Sequence, residues 1–456
     1  MKINIIRFTI AIILSITFNA RSQSWSPVAN GVNGDVFALG VYNNNLYIGG
    51  DFTELYGLTD TLTTPMFAMF DGTNFDNTPI HFWNGGGINT FLNYNNNFFI
   101  AGDFTFPNNI QNIIVYKDHQ LETPLYTLNF NVDALIDFNG NLYAAGGFHD
   151  TGIVAVNYIT EWDNINNQWV NVGSNNSTNG EVRALAVFNN FLYAAGDFTV
   201  IGGVIANGIA YWDGTQWNPV GLGLIGSVYA LQVYNNKLYA GGQFVLQGAD
   251  SLNHIAALDI NNNWDTVGTN GTDGIGALDT FANVTCMAVY GNELYIGGSF
   301  SLAKGDVGNS IVRWNGTNFD SIDSGITDTL GVVYTLFPWH GSLYIGGSFR
   351  EANGIAVNNI CMYDSASAGI NEVNNEIITQ VYPNPSSSIV NFNIHFRHGN
   401  NNIGTLQITD LMGKDIIEQT FHTGVNSIDV SSLAKGMYIY KVSGGNSSVQ
   451  GKFIVN

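Results

Sequence analysis

The sequence predicts an all-β fold, a seven-bladed β-propeller followed by a small C-terminal β-sandwich. Three observations predict it. One phrase, typified by Leu46-Tyr47-Ile48-Gly49-Gly50-Asp51-Phe52, recurs seven times, and its second residue falls at Tyr47, Phe99, Tyr143, Tyr193, Tyr239, Tyr295 and Tyr344. The spacings of 52, 44, 50, 46, 56 and 49 residues are the period of a four-stranded blade rather than of a helical solenoid. From Val381 onward the phrase stops, the charge balance changes, and shorter alternating runs take over.

In chain order, residues 1–22 come first. Lys2 and Arg7 precede the apolar stretch Phe8 to Phe18, and Ala20-Arg21-Ser22 closes it, the three-part layout of a secretory signal peptide. The stretch is too short to span a bilayer, and no later run approaches 18 apolar residues, so no transmembrane segment is expected in the exported chain. Two cysteines, Cys286 and Cys361, are too few for a disulfide framework. Both align with alanines of other repeats and read as small buried thiols.

Residues 23–365 are expected to form the propeller. Val228 to Tyr234 alternates apolar and polar residues as an inner strand, a, and Asn235-Asn236 turns it into strand b, the Leu-Tyr phrase. Ile209 to Trp212 is a strand c, and Asp213-Gly214 turns it into strand d, Trp217 to Val220. The paired glycines ending strand b mark a place where blades crowd and no Cβ fits. The seventh unit lacks a strand d after Asp364, whereas an orphan one, Trp25-Ser26-Pro27-Val28, stands at the start of the chain. It is expected to complete the last blade and remove two open edges.

Charge separates two bodies. The 456 residues carry 14 basic and 35 acidic side chains, for a formal charge of −21. Residues 23–380 hold 31 acidic and 6 basic groups, but 381–456 hold 4 and 5, and residues 366–380 have the composition of a linker. So few Lys and Arg cannot track a phosphate backbone, which excludes nucleic acid as a partner. With 45% hydrophobic residues the chain is not disordered.

The order Leu-Tyr-x-Gly-Gly, Tyr/Trp-Asp, Trp-x-x-Val resembles the kelch-type propeller repeat over about three quarters of the chain. That likeness implies architecture more than activity, since such folds host oxidases and plain binding modules alike. Residues 381–456 resemble the sorting domain of type IX secretion. The resemblance rests on Tyr382-Pro383-Asn384-Pro385, on Asp410-Leu411-Met412-Gly413-Lys414, on Lys435-Gly436-Met437-Tyr438 and on Lys452 in the closing run. It implies export across the outer membrane of a Gram-negative bacterium by the type IX machinery. Removal of the domain by a sorting protease would follow, with release or surface attachment. Read from the residues alone, the same stretch is a small β-sandwich with strands at Ile389 to Ile394, Leu406 to Ile408 and Tyr438 to Val442.

Strand direction puts the short a–b and c–d hairpins on one face and the longer b–c and d–a connections on the other, where binding usually resides. Asp51, Asp103 and Asp197, each directly after the glycines, reach that loop face. They form either a partial acidic ring for a cation or sugar hydroxyls, or caps of turns within their own blades. Trp83 lies in a d–a connection, either to stack on a sugar or to pack over a blade junction. Asp259, Asn261, Asn263 and Asp265 have calcium-loop spacing, but Trp264 stands where the sharp-turn glycine belongs, which favours an ordinary hairpin. No metalloprotease spacing, nucleophile elbow or phosphate loop is present, and no catalytic residues emerge. A binding module for a glycan or another extracellular ligand is therefore the leading expectation. A polysaccharide-acting enzyme using loop-face carboxylates, or a structural adhesion or matrix protein, is the alternative.

Overall fold

The computed structural model describes all residues except 1–23, 58–60, 77–83, 107–109, 118–119, 123–126, 152–153, 174–177, 247–253, 269–273, 276–281, 301–308, 329, 365–376, 383–385, 387, 397–402, 411–413, 423, 445–446 and 456. The expected signal peptide, most of the linker, Trp83 and Pro383-Asn384-Pro385 with Gly413 lie outside the described residues. The chain divides into two compact units, one spanning Arg21–Ala366 and one containing Ser367–Asn456. Among the described residues every regular element is a strand.

Among the described residues the first unit holds seven four-stranded antiparallel sheets, here I to VII. Their first strands are Val36–Tyr42, Asn84–Tyr94, Val132–Phe138, Val182–Phe188, Leu224–Tyr234, Asn283–Tyr290 and Val332–Trp339. In each, a tight hairpin leads to the strand carrying the repeated phrase. Asn43-Asn44, Asn95-Asn96, Asn189-Asn190 and Asn235-Asn236 all take positive φ, the conformation that two-residue hairpins with the native twist demand. The first strand of each sheet packs on the first strand of the next, and that of sheet VII packs back on that of sheet I.

Sheet VII is assembled from both ends of the unit. Ser24–Pro27 pairs antiparallel with Ile360–Asp364 in the register Ser24↔Asp364 to Pro27↔Cys361. Trp25 is buried against Tyr363 at 5.2 Å between ring centroids, and its Nε1–H donates to Asp323 Oδ2 at 3.1 Å. Asp323 belongs to the connection between sheets VI and VII, so the indole ties the first residues of the unit to two distant segments.

The two glycines of the repeated phrase have different reasons, which corrects the single one expected from sequence. The first faces the next sheet. A Cβ on Gly49 would lie 2.6 Å from Ile88, and one on Gly346 2.5 Å from Val36. The second is required inside its own sheet, because a Cβ on Gly50, Gly146 or Gly347 would collide with the carbonyl oxygen of Asp35, Asn131 or Val332, the residue just before the bulge described below. The aromatic residue that follows, from Phe52 to Phe349, is buried in all seven copies. Cys361 is fully buried, and the Cys286 Sγ lies 3.7 Å from Val333 O; burial pushes the Cys286 thiol up to about 12.

In the second unit a three-stranded sheet (Ile377–Tyr382, Ile389–Phe396, Gly424–Asp429) and a four-stranded sheet (Asp415–His422, Ile403–Thr409, Gly436–Gly444, Ser447–Val455) share one core. Phe392 of the first meets Tyr440 of the second at 5.2 Å and Phe453 at 5.8 Å. The motif residues are structural here. Asp410 Oδ1 accepts from Lys414 N, and Tyr438 stacks on Phe453 while its hydroxyl donates to Ala434 O. Gly436 pairs with Val455 and Ile439 with Lys452, while Ser386 N, just past the prolines, donates to Ile454 O.

Candidate binding site

Each first strand of the seven sheets carries a β-bulge at one repeat position, where the register with the second strand slips between Val36 and Ala38, Ile88 and Thr90, Val132 and Ala134, Val182 and Ala184, Val228 and Ala230, Val284 and Cys286, and Val333 and Thr335. A bulge leaves one residue unpaired and re-aims its side chain. Those residues are Phe37, Asn89, Asp133, Arg183, Tyr229, Thr285 and Tyr334. They stand at the end where the second strand finishes in its glycines, the loop face.

Successive bulged residues touch across sheet boundaries. Tyr334 meets Phe37 edge-on at 5.4 Å; Asn89 Nδ2 donates to Asp133 Oδ1 at 3.0 Å; Asp133 Oδ2 lies 4.0 Å from Arg183; and the guanidinium sits 5.6 Å from the Tyr229 ring centre. Thr285 Oγ1 donates to Val333 O. One side of the set is therefore charged and the other is aromatic or hydroxylic.

Arg183 organises the charged side. It pairs with Glu181 at 2.5 Å and with Asp197 at 2.8 Å, and Asn131 Nδ2 bridges Asp133 Oδ1 and Glu181 Oε1 at 2.8 Å each. This bridge occupies the space above Gly147, where other sheets carry a side chain after the glycine. Burial and then the adjacent Glu181 charge push the Asp133 carboxyl up to about 7, against the opposing pull of Asn131 and Arg183. Asp133 Oδ2 is buried with no hydrogen-bond partner among the described residues. Burial works against the Arg183 charge, but its bond to Asp197 and the surrounding carboxylates outweigh that and hold its pKa above the ordinary value.

The expected aspartates separate. Asp197 belongs to the Arg183 cluster. Asp51 accepts from Asp35 N at 2.7 Å, so it caps a turn in its own sheet; burial raises its carboxyl, opposed by that bond. Asp103 is exposed, with its carboxylate over Gly86. Asp133, Glu181, Arg183 and Tyr229 were not singled out from sequence. The available signal was a repeat position that varies from Phe to Asp to Arg between a Val or Ile and a small residue, Ala, Thr or Cys. Asp259 Oδ1 accepts from Asn261 N and Asn263 N at 2.8 Å, and Asp265 pairs with Lys237 at 2.5 Å, so this stretch forms a hairpin with its carboxylates engaged.

Exposed large apolar residues stand on both faces, Ile165 and Ile260 in c–d hairpins and others among the longer connections. Phe130, Leu222 and Leu330 lie in d–a connections, and Ile205 and Ile355 in small hairpins of b–c connections.

Residues 380–456 match the secretion system C-terminal sorting domain family. Such a tail is handled by type IX machinery and implies export to the cell surface or outside. Among the described residues no helix is long and apolar enough to cross a membrane. No curated protein matches the chain in sequence. Among solved structures, the extracellular domain of a hybrid two-component system from B. thetaiotaomicron is similar at 12% identity and TM-score 0.45, covering 96% of this chain. The chain spans 60% of that protein's length. YjhT is similar at 14% identity and TM-score 0.37, over 65% of this chain and 99% of its own.

Proposed function

We propose that residues 23–365 form a seven-bladed, kelch-like β-propeller that acts as a binding module for an extracellular glycan, exported by type IX secretion from a Gram-negative bacterium. The cyclic packing of seven like sheets supports the architecture. The observation that carries the function is the bulged position. Seven like frames each present one variable side chain on the loop face, as a recognition surface requires. Tyr229, Tyr334 and Phe37 provide ring surfaces for the C–H face of a sugar, and Glu181 and Asp197 provide acceptors for its hydroxyls. Asp133, Glu181 and Asp197 are gathered around the Arg183 guanidinium, at 4.0, 2.5 and 2.8 Å, and a carboxylate held in an ion pair is a weak proton donor or nucleophile, which favours binding over hydrolysis.

A glycan-array screen of the full chain tests this reading. Tyr229→Ala and Asp197→Asn are expected to weaken the best glycan at least tenfold each, while Asn189→Gly in an opposite hairpin leaves it unchanged. Absence of any bound glycan, or binding indifferent to both loop-face changes, contradicts it.

Export has its own test. The signal peptide 1–22 and most of 381–456, beyond the linker 366–380, are expected to be missing from protein recovered from the medium or the cell surface, as read by intact mass. A secreted form that still ends in Asn456 contradicts the processing.

A further inference from the structure

Two sheets of the same repeat carry the same pair of carboxylates, and only one pair is neutralised. In sheet IV the pair is Glu181, two positions before the bulged residue, and Asp197, directly after the last glycine of the phrase. Asp197 N donates to Glu181 O at 2.8 Å, which brings the two residues side by side. The Arg183 guanidinium pairs with both, at 2.8 and 2.5 Å, and sits 5.6 Å from the Tyr229 ring centre.

Sheet I repeats this frame without the cation. Asp35 and Asp51 hold the two positions, joined by the same bond, from Asp51 N to Asp35 O at 3.1 Å. Asp51 Oδ1 also accepts from Asp35 N at 2.7 Å, a bond that leaves both charges in place. Among the described residues neither carboxylate pairs with a Lys, Arg or His. The bulged residue here is Phe37, whose ring meets Tyr334 of sheet VII at 5.4 Å. Burial, and then the Asp35 and Asp51 charges, hold the Tyr334 phenol above its ordinary value, so both carboxylates act on the hydroxyl end of that ring. Asp35, Phe37 and Tyr334 are half-buried and Asp51 is exposed, which leaves rings and charges open to a ligand. With 31 acidic against 6 basic groups in residues 23–380, the surrounding field draws in cations and repels anions.

We propose that Asp35, Asp51, Phe37 and Tyr334 form a subsite for a cationic amino sugar, a hexosamine unit whose nitrogen is not acetylated. The proposal rests on the loop-face glycan reading and names the class of glycan. The ammonium takes the place that the Arg183 guanidinium holds in sheet IV, between the two carboxylates. The C–H face of the same sugar lies on the Tyr334 and Phe37 rings, which also attract the positive charge. Uronic-acid and sulfated glycans are rejected here, since they would set a negative charge against two unpaired carboxylates.

Isothermal titration of the full chain at pH 6 with tetraglucosamine, its fully N-acetylated counterpart and tetra-arginine tests this. Tetraglucosamine is expected to bind at least tenfold more tightly than either of the others. Asp35→Asn combined with Asp51→Asn, which removes both charges and keeps an acceptor for the residue 35 N–H, is expected to bring it down to the acetylated level. Asp76→Asn combined with Asp265→Asn, which takes the same charge from two outer strands, is expected to keep the preference. Should the first pair of changes fold poorly, Asp35→Asn alone decides: a preference at least threefold smaller supports the subsite, and an unchanged one overturns it. A preference that survives the Asp35 and Asp51 changes, that falls equally with the outer-strand changes or that tetra-arginine shares overturns the proposal. Binding of a glycan through Tyr229 with no gain from a free amine overturns it too, and leaves the loop-face reading standing.

Discussion

Trp25→Ala is expected to lower stability by about 3–5 kcal/mol, the range for emptying a buried aromatic site. Trp25 is 4% exposed, packs on Tyr363, and satisfies Asp323 through its N–H. It anchors a strand of four residues, Ser24–Pro27, whose partner Ile360–Asp364 stands at the other end of the unit. Further ties lie just past it, where Asn358 Nδ2 donates to Asn30 O and Asn359 Nδ2 to Val32 O. Removing Ser24 to Ala29 altogether has the larger effect, since it exposes the edge of Ile360–Asp364 to other chains and drives aggregation. Trp25→Phe keeps a ring and loses the N–H, so it should cost less than Trp25→Ala. Urea unfolding and size-exclusion chromatography of the full chain read all three. An unchanged midpoint for Trp25→Ala, or a monodisperse deletion variant, would show that the terminal strand does not hold sheet VII.

Asp133→Asn is expected to stabilise the chain by roughly 2–4 kcal/mol at pH 8 and to change little at pH 4, from about 1.4 kcal/mol per pH unit across the interval in which the folded and unfolded carboxyls differ in protonation. A carboxyl raised from its ordinary 3.8 to about 7 is the reverse of the usual aspartate case. Between those values the folded chain holds a proton that the unfolded chain has released. Stability therefore falls as pH rises from about 4 to 7 and stays low above. Asparagine removes the charge while its Oδ1 can keep the bonds from Asn131 Nδ2 and Asn89 Nδ2. Its new Nδ2 can donate toward Glu181, and the attraction it forfeits, to Arg183 at 4.0 Å, is the longest of that residue's three carboxylate pairs. Unfolding midpoints at pH 4, 6 and 8 for both chains decide the matter, and parallel curves would show that Asp133 carries no such penalty.

The sequence alone determined what is local or periodic. Seven copies of one phrase, six of them Leu-Tyr and one Phe-Phe, with alternating strands and turns built from Asn, Gly or His, specify seven hairpin-built sheets, because side-chain period and turn conformation are encoded within a few neighbouring residues. The orphan Trp25-x-x-Val28 was legible for the same reason, as one repeat position displaced to the start of the chain. Tertiary structure decided where side chains from different repeats meet. The alternation rule puts Asp133 and Arg183 in ordinary strand positions; the bulge at each re-aims them, and the contact of Arg183 with Asp133 and Tyr229 spans sheets about 50 residues apart. Asp51 and Asp197 share a motif position, yet one caps its own turn and the other pairs with a guanidinium, because Asp35 N–H lies beside the first and Arg183 beside the second. A repeat specifies the frame, whereas charge pairing and burial between frames depend on distances that no single repeat contains.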